Sequence, residues 1–268
     1  MKRVARIQIR GLSGEVQRVQ VDGRTIDFWS PKNPTHLLIA HDGNNVFDKK
    51  SSTLGVTWKM AQKSSKVFER AGLTSPAIIG IYHQGDGPMS HGRLRELAPQ
   101  QPFQNGVKVL IDAGVESKDL VGDEYHQHIA ETIFPEIAAE IGLEYSPTRT
   151  AMIGSSMGGL ATLYGLGLRP QLFHTALSFS THWPIGGIPL VDALIDRFPT
   201  PEEHKIWMSR GSRKLDSGYG PFQDHANKRM EELGWGAKFK YRFYKGAGHN
   251  ERAWAKQIEE AFEFWLGM

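Results

Sequence analysis

Cysteine is absent from the 268-residue chain, and with it disulfides, thiolate catalysis and cysteine-based zinc sites. No apolar run approaches the roughly 18 residues that a membrane-spanning helix needs. The N-terminal stretch "MKRVARIQIRGLSGE" lacks the apolar centre of a signal peptide, so the expectation is a cytoplasmic protein with no membrane partner. A dominant charge is missing too: 32 Lys and Arg stand against 29 Asp and Glu, a formal net charge of +3. That excess is too small to indicate a nucleic-acid partner. No "HExxH" occurs, and neither "GxGxxG" nor "GxxxxGK[ST]" follows an early strand. Neither a metal nor another cofactor is therefore expected.

What is present is ordinary globular material, 40% hydrophobic and 23% charged residues, without repeats or a Gly/Ser/Pro-rich linker. One domain over 1–268 is expected, with N-terminal strands in 1–34 and a catalytic core in 35–268. Ile7 and Ile9, Val19 and Val21, and Ile26 and Phe28 alternate as half-exposed strands, separated by the turn signals "SGE" and "DGR". The runs "HLLIA", "AIIGIY", "TAMIG", "TALSFS" and "KIWMS" are continuously apolar, as strands covered on both faces are. "KFKYRFY" alternates and predicts an edge strand. Helical spacing is clearest at Tyr125, Ile129, Ile133, Ile137 and Ile141, with a kink expected at Pro135. Strands alternating with helices predict an α/β fold, with a mostly parallel sheet, helices on both faces and an antiparallel N-terminal entrance.

"GSSMG" fits Gly-x-Ser-x-Gly through Gly154, Ser156 and Gly158. It follows a buried strand and precedes a helix, the setting in which a serine is lifted on a strained turn. Ser156 is thus the candidate nucleophile and Ser155 the variable position. A serine hydroxyl needs a base, and of the eleven histidines His249 lies in a loop of small residues between the last strand and the last helix. An acid should follow an intervening strand. Asp216 sits in the loop after "KIWMS", whereas Asp224 falls in a stretch that reads as helix, so Asp216 is preferred. Oxyanion donors should come from the Met157 amide and from the loop "AHDGNNVFD", where Gly43 or Asn44 can turn its amide inward.

These segments resemble the esterase D-like family of α/β-hydrolases, whose members include siderophore esterases, feruloyl and acetylxylan esterases and S-formylglutathione hydrolases. The resemblance runs from about residue 35 to the C-terminus through "LLIAHDGNNVFD", "GRLRELAP", "GDEYHQHIAETIFPEI", "RTAMIGSSMGGLATL", "GSRKLDSGYGPFQ" and "GAGHNERAW". It implies the α/β-hydrolase fold, Ser156 as nucleophile, Asp216 as acid, His249 as base, and Met157 and Asn44 as oxyanion donors. The chain lacks the cysteine-containing oxyanion loop of S-formylglutathione hydrolases and the large N-terminal module of many enterobactin esterases. A serine ester hydrolase acting on a small soluble ester is therefore expected. A trilactone siderophore esterase and a non-catalytic binding protein on the same fold are the alternatives. His182, Trp183 and Trp254 are candidates to line the substrate pocket.

Overall fold

The structure is a computed structural model that describes residues 1–85, 87, 90–110 and 114–268. The glycine-rich sequence "YHQGDGPMSHG", which follows an apolar run and reads as a loop over 82–92, lies in part outside the described residues. The elements follow in the order β1 (Lys2–Ile7), β2 (Val16–Val21), β3 (Arg24–Trp29), β4 (Leu37–Ala40), α1 (Met60–Arg70), β5 (Ala77–Ile81), α2 (His91–Leu97), α3 (Gln100–Gln104) and α4 (Gly122–His128). Then come α5 (Phe134–Ile141), β6 (Thr150–Ser155), α6 (Met157–Leu168), β7 (Thr175–Phe179), α7 (Gly187–Ile195), β8 (Lys205–Arg210), α8 (Gly220–Glu232), β9 (Phe239–Phe243) and α9 (Glu251–Leu266).

Among the described residues these strands form one sheet in the order β1-β2-β3-β5-β4-β6-β7-β8-β9. The pairs β1–β2, β2–β3 and β3–β5 are antiparallel, and every pair from β5–β4 to β8–β9 is parallel. β9 lies at the edge, as its alternation predicts, and β1 at the other.

The apolar runs divide by the two-residue period of a strand between two cores. Leu37, Ile39, Met152, Ala176, Ile206 and Met208 face one layer together with buried residues of α4 to α8. Leu38, Ala40, Ile153, Leu177, Phe179 and Trp207 face the other, against α1 and α9. A strand so covered has no polar face to show, which is why these runs read as continuously apolar. α6 is buried on nearly its whole circumference, because it leaves the middle of the sheet directly beneath the other helices.

Pro135 does not break its helix. A π-helical turn over Ile129–Ile133 joins α4 to α5, with Pro135 in the first turn of α5. Proline has no N–H to offer and its ring crowds the carbonyl one turn back, and widening the turn accommodates both.

Candidate active site

The centre of the site is the junction of β6 and α6. Ser156 has φ 55° and ψ −121°, a region that L-residues occupy only when the surroundings hold them there. Its N–H donates to Phe179 O on β7 at 2.9 Å, which pins the turn to the sheet. The neighbouring glycines are closely confined. A Cβ at Gly154 would overlap the Gly158 carbonyl, and one at Gly159 would lie 2.5 Å from Ser178 Oγ. At Gly158 a Cβ would come within 3.1 Å of Asp42 Oδ2 and 3.3 Å of His41 Cβ. Ser156 is the residue between 151 and 166 that retains some exposure.

Asp216 and His249 meet although 33 residues separate them. His249 Nδ1 lies 2.6 Å from Asp216 Oδ1. The other carboxylate oxygen accepts from Ser180 Oγ at 2.7 Å and from the Gly211 amide at 2.5 Å. Asp216 is fully buried, so these donors take the place of water around it. The two loops are stitched together by the Ser212 and Arg213 amides, which donate to Ala247 O at 2.9 and 3.0 Å. Asp224 is exposed on α8, too far into the helix to share this role.

Trp254, on the first turn of α9, stands edge-on to the His249 ring at 5.0 Å and donates Nε1–H to Ser180 Oγ at 3.0 Å. It therefore supports the histidine and the acid at once. Trp183 is fully buried and its indole N–H donates to Gln223 Oε1 at 3.2 Å. The expected substrate-lining role is corrected for Trp183: it is core packing, since no face of its ring is open.

Tyr219 is a site residue that the sequence reading missed. Its hydroxyl is hydrogen-bonded to His182 Nδ1. Its ring meets His249 at 5.5 Å and 74°. Asp216 belongs to a 3₁₀ turn, Lys214–Gly218, and the Tyr219 amide donates back to Asp216 O. Residues three apart in such a turn are eclipsed, which sends both side chains to the histidine. The "DxxY" spacing was the available signal. Burial, and then the negative charge of Asp216, push the Tyr219 phenol well up. Burial, then His249 and Arg93, push the His182 imidazole down to about 4.

The loop after β4 approaches from the other side. Asp42 takes the left-handed conformation, φ 52°, and opens a 3₁₀ turn over Gly43–Asn45. A Cβ at Gly43 would overlap the Gly80 backbone of β5, so only glycine lets the loop fold so tightly against the sheet. Asp42 receives the Arg93 guanidinium on both oxygens, Nε–Oδ1 at 2.6 Å and Nη2–Oδ2 at 2.7 Å. Burial alone would raise the Asp42 carboxyl, and the Arg93 charge outweighs it and holds the group below the usual carboxylate range. His41 donates its amide to Ile153 O at 3.0 Å, and its ring is hydrogen-bonded to Tyr125 Oη at 2.7 Å. The Asn44 side chain donates to Asn45 Oδ1 at 3.0 Å, and Asn44 lines a cleft of about 340 Å³ with Ser51, Thr53, Tyr82 and His83. The Met157 amide belongs to the first turn of α6, where N–H groups have no acceptor within the helix.

Among the described residues no three His, Asp or Glu side chains are grouped to hold a metal ion, and no helix is long and apolar enough to cross a membrane.

The chain is similar in structure to several solved proteins. The enterochelin esterase of Shigella flexneri superposes with a TM-score of 0.62 at 15% identity, over 99% of this chain and 58% of that one. The chain thus spans little more than half the length of that protein. The BES protein of Bacillus cereus gives 0.63 at 20% identity over 98% and 99%. An IroE-like serine hydrolase of Shewanella oneidensis gives 0.64 at 15% identity over 97% and 78%. At these identities the likeness establishes the α/β-hydrolase fold. No curated protein matches the chain in sequence. A family model does, from residue 24 to residue 264, and its description is "Putative esterase". The chain belongs to that esterase family.

Proposed function

We propose that the chain is a serine carboxylic-ester hydrolase working through an acyl-enzyme. Ser156 Oγ attacks the carbonyl carbon of a small-molecule ester, and His249 Nε2 takes the serine proton. Asp216, on Nδ1, holds the ring in the required tautomer and stabilises the imidazolium that forms. The negative charge that develops on the carbonyl oxygen is received by the Met157 amide and by an amide of the Gly43–Asn44 turn. His249 then gives its proton to the departing alcohol. In the second half, water loses a proton to His249 and attacks the acyl carbon, and Ser156 leaves with that proton.

The observation that carries this reading is that the end of β7 holds a strained serine turn and an Asp–His pair side by side: Phe179 O accepts from the Ser156 amide, and Ser180 Oγ donates to buried Asp216, which is hydrogen-bonded to His249. Hydrolysis of p-nitrophenyl acetate and butyrate by the wild type and by Ser156→Ala tests it. The wild type is expected to turn over and Ser156→Ala to lose at least 10³-fold, on the order of what loss of a nucleophile costs. Turnover indifferent to the substitution would sink the reading.

A second reading concerns the substrate. Structural neighbours of this chain are described as an enterochelin esterase and as an "Enterobactin and Salmochelin Hydrolase", which favours a trilactone siderophore. A panel of short acyl, feruloyl, acetylated-sugar and trilactone esters compared by kcat/KM decides between it and a simple ester.

A further inference from the structure

The turn proposed to receive the carbonyl oxygen has a second face. Asn44, in that turn, is also one wall of the cleft of about 340 Å³, which Ser51, Ser52, Thr53, Tyr82 and His83 line as well. The cleft is tied to the nucleophile turn through Asp42. His83 Nε2 lies 4.0 Å from Asp42 Oδ1, and Asp42 Oδ2 stands 3.1 Å from where a Cβ of Gly158 would be, two residues beyond Ser156. Among the described residues no Lys, Arg, Asp or Glu lines the cleft.

Part of its wall is already satisfied. Tyr82 Oη accepts from Arg18 Nη2 at 2.6 Å and donates to Asp27 Oδ2 or Ser51 Oγ, each at 3.0 Å. Arg18 and Asp27 are paired through both carboxylate oxygens at 2.7 Å. Ser51 Oγ shares its proton between the carbonyls of Asp48 and Asn44, at 3.1 and 3.3 Å, which holds the turn against the cleft.

Two atoms are left over. The Thr53 amide donates to Asn45 Oδ1 at 2.8 Å, so that atom is an amide oxygen and an acceptor. Asn44 meets it at 3.0 Å with its NH₂, which leaves Asn44 Oδ1 buried and without a partner. In His83, Nε2 is the nitrogen nearer the Asp42 carboxylate and so keeps the proton. Nδ1, buried and without a partner, keeps the lone pair. Burial pushes the His83 imidazole down from its ordinary value, so the ring is neutral at pH 7. Asn44 and His83 thus present two acceptors that lack donors, and a buried polar group costs free energy until it is matched.

The rest of the wall restricts what can match them. A cation would enter without a carboxylate to meet it, and a fully ionised anion has no proton to give. A neutral hydroxyl donates to one atom and accepts from another, which suits a wall of hydroxyls and an amide. We propose that this cleft is a specificity subsite, taking a part of the ester that carries two hydroxyl groups, one donating to Asn44 Oδ1 and the other to His83 Nδ1. This rests on the esterase reading above and names the chemical class of its substrate. The hydroxyls can belong to the acyl portion or to the alcohol, with the same chemistry in the cleft.

The experiment compares two pairs of esters by kcat/KM, each normalised to hydroxide-catalysed hydrolysis of the same ester. Glyceryl 1-monobutyrate against propyl butyrate puts the hydroxyls on the alcohol, and ethyl 2,3-dihydroxybutyrate against ethyl butyrate puts them on the acyl group. The wild type is expected to prefer the hydroxylated member of one pair by about 5- to 100-fold, since each of the two hydrogen bonds contributes about two- to tenfold. The pair that shows the preference identifies the portion held in the cleft. His83→Phe, which fills the place of the imidazole without an acceptor, is expected to reduce that preference several-fold. His83→Asn, whose side-chain oxygen can stand where Nδ1 stood, is expected to retain more of it. A wild type without preference in either pair overturns the proposal, as does an undiminished preference in a folded His83→Phe. If that variant does not fold, the wild-type ratios alone decide. A wild type that hydrolyses none of these esters, nor p-nitrophenyl acetate, marks failure of the esterase reading itself, a distinct outcome.

Discussion

Asp42 and Arg93, 51 residues apart, form a buried two-point ion pair on the loop that faces Ser156, with Arg93 Nε and Nη2 at 2.6 and 2.7 Å from the two carboxylate oxygens. The pair fixes the turn that bears Gly43 and Asn44, and Asp42 Oδ2 in turn would crowd a Cβ at Gly158 at 3.1 Å. Removing Arg93 strands a carboxylate in the interior. Arg93→Met is expected to cost about 3–5 kcal/mol, the penalty for an uncompensated buried charge, and to lower Tm by roughly 10 °C. The double variant Asp42→Ala/Arg93→Met is expected to be more stable than Arg93→Met alone. Thermal unfolding of the three proteins checks this, and a double variant less stable than the single would refute it.

The glycines of the nucleophile turn should differ in tolerance, in an order set by what each Cβ would strike. At Gly154 it strikes the Gly158 backbone, which cannot move without dismantling the turn. At Gly159 it strikes the Ser178 hydroxyl at 2.5 Å, and at Gly158 it reaches only a close contact of 3.1 Å. Gly154→Ala is expected to be the most damaging, with loss of soluble protein or of more than about 3 kcal/mol. Gly159→Ala follows, and Gly158→Ala is expected to fold while losing activity through displacement of Asp42. Chemical denaturation ranks the three.

Much of the candidate site was legible in the sequence because its parts are local. A buried strand followed by Gly-x-Ser-x-Gly, and loops holding Asp216 and His249 after later strands, are visible without knowing the sheet order. Tyr219 escaped notice because its role depends on the eclipsed 3₁₀ turn that aligns it with Asp216, and a short turn of that kind has no periodic signature. The Asp42–Arg93 pair escaped because it joins the loop after β4 to α2, 51 residues on, where no spacing rule applies. Trp183 and Trp254 lie near the site in sequence terms alike, yet one is sealed in the core and the other braces His249. Burial of that kind is decided by packing between α8 and α9 and the β7 loop. The insertion of β5 between β3 and β4 is likewise a long-range result.

Histidines that packing holds below their ordinary value should make the fold sensitive to mild acid. Burial, the largest cause in each case, pushes His36, His41 and His182 down to about 4, His126 well below its ordinary value, and His83 and His174 down as well. In the unfolded chain each titrates near 6.5. Between about pH 6.5 and pH 4 the unfolded state therefore binds more protons than the native state, and stability falls as pH falls. Calorimetry should show Tm declining across this window, with an uptake of at least roughly three protons on unfolding near pH 5.5. A flat Tm from pH 6.5 to 5 would show that these rings are protonated in the folded protein.

The acid of the proposed triad offers the sharpest separation of chemistry from stability. Asp216 has its two oxygens divided: Oδ1 faces His249 Nδ1, while Oδ2 is held by Ser180 Oγ and the Gly211 amide. Asp216→Asn keeps the shape but can turn an NH₂ toward His249 Nδ1, which then must accept, and the tautomer left presents N–H to the serine instead of a lone pair. The expected result is a fall in kcat of about 10³- to 10⁴-fold with KM little changed. Ser180→Ala acts one step further out. It removes one donor from the carboxylate and the acceptor of the Trp254 indole, yet leaves Asp216 charged and in contact with His249. A loss of about 1 kcal/mol in stability and only a several-fold fall in kcat are expected. Steady-state kinetics beside chemical denaturation would distinguish the two. Comparable kcat losses in both variants would mean that Ser180 controls the position of Asp216 and not merely its solvation.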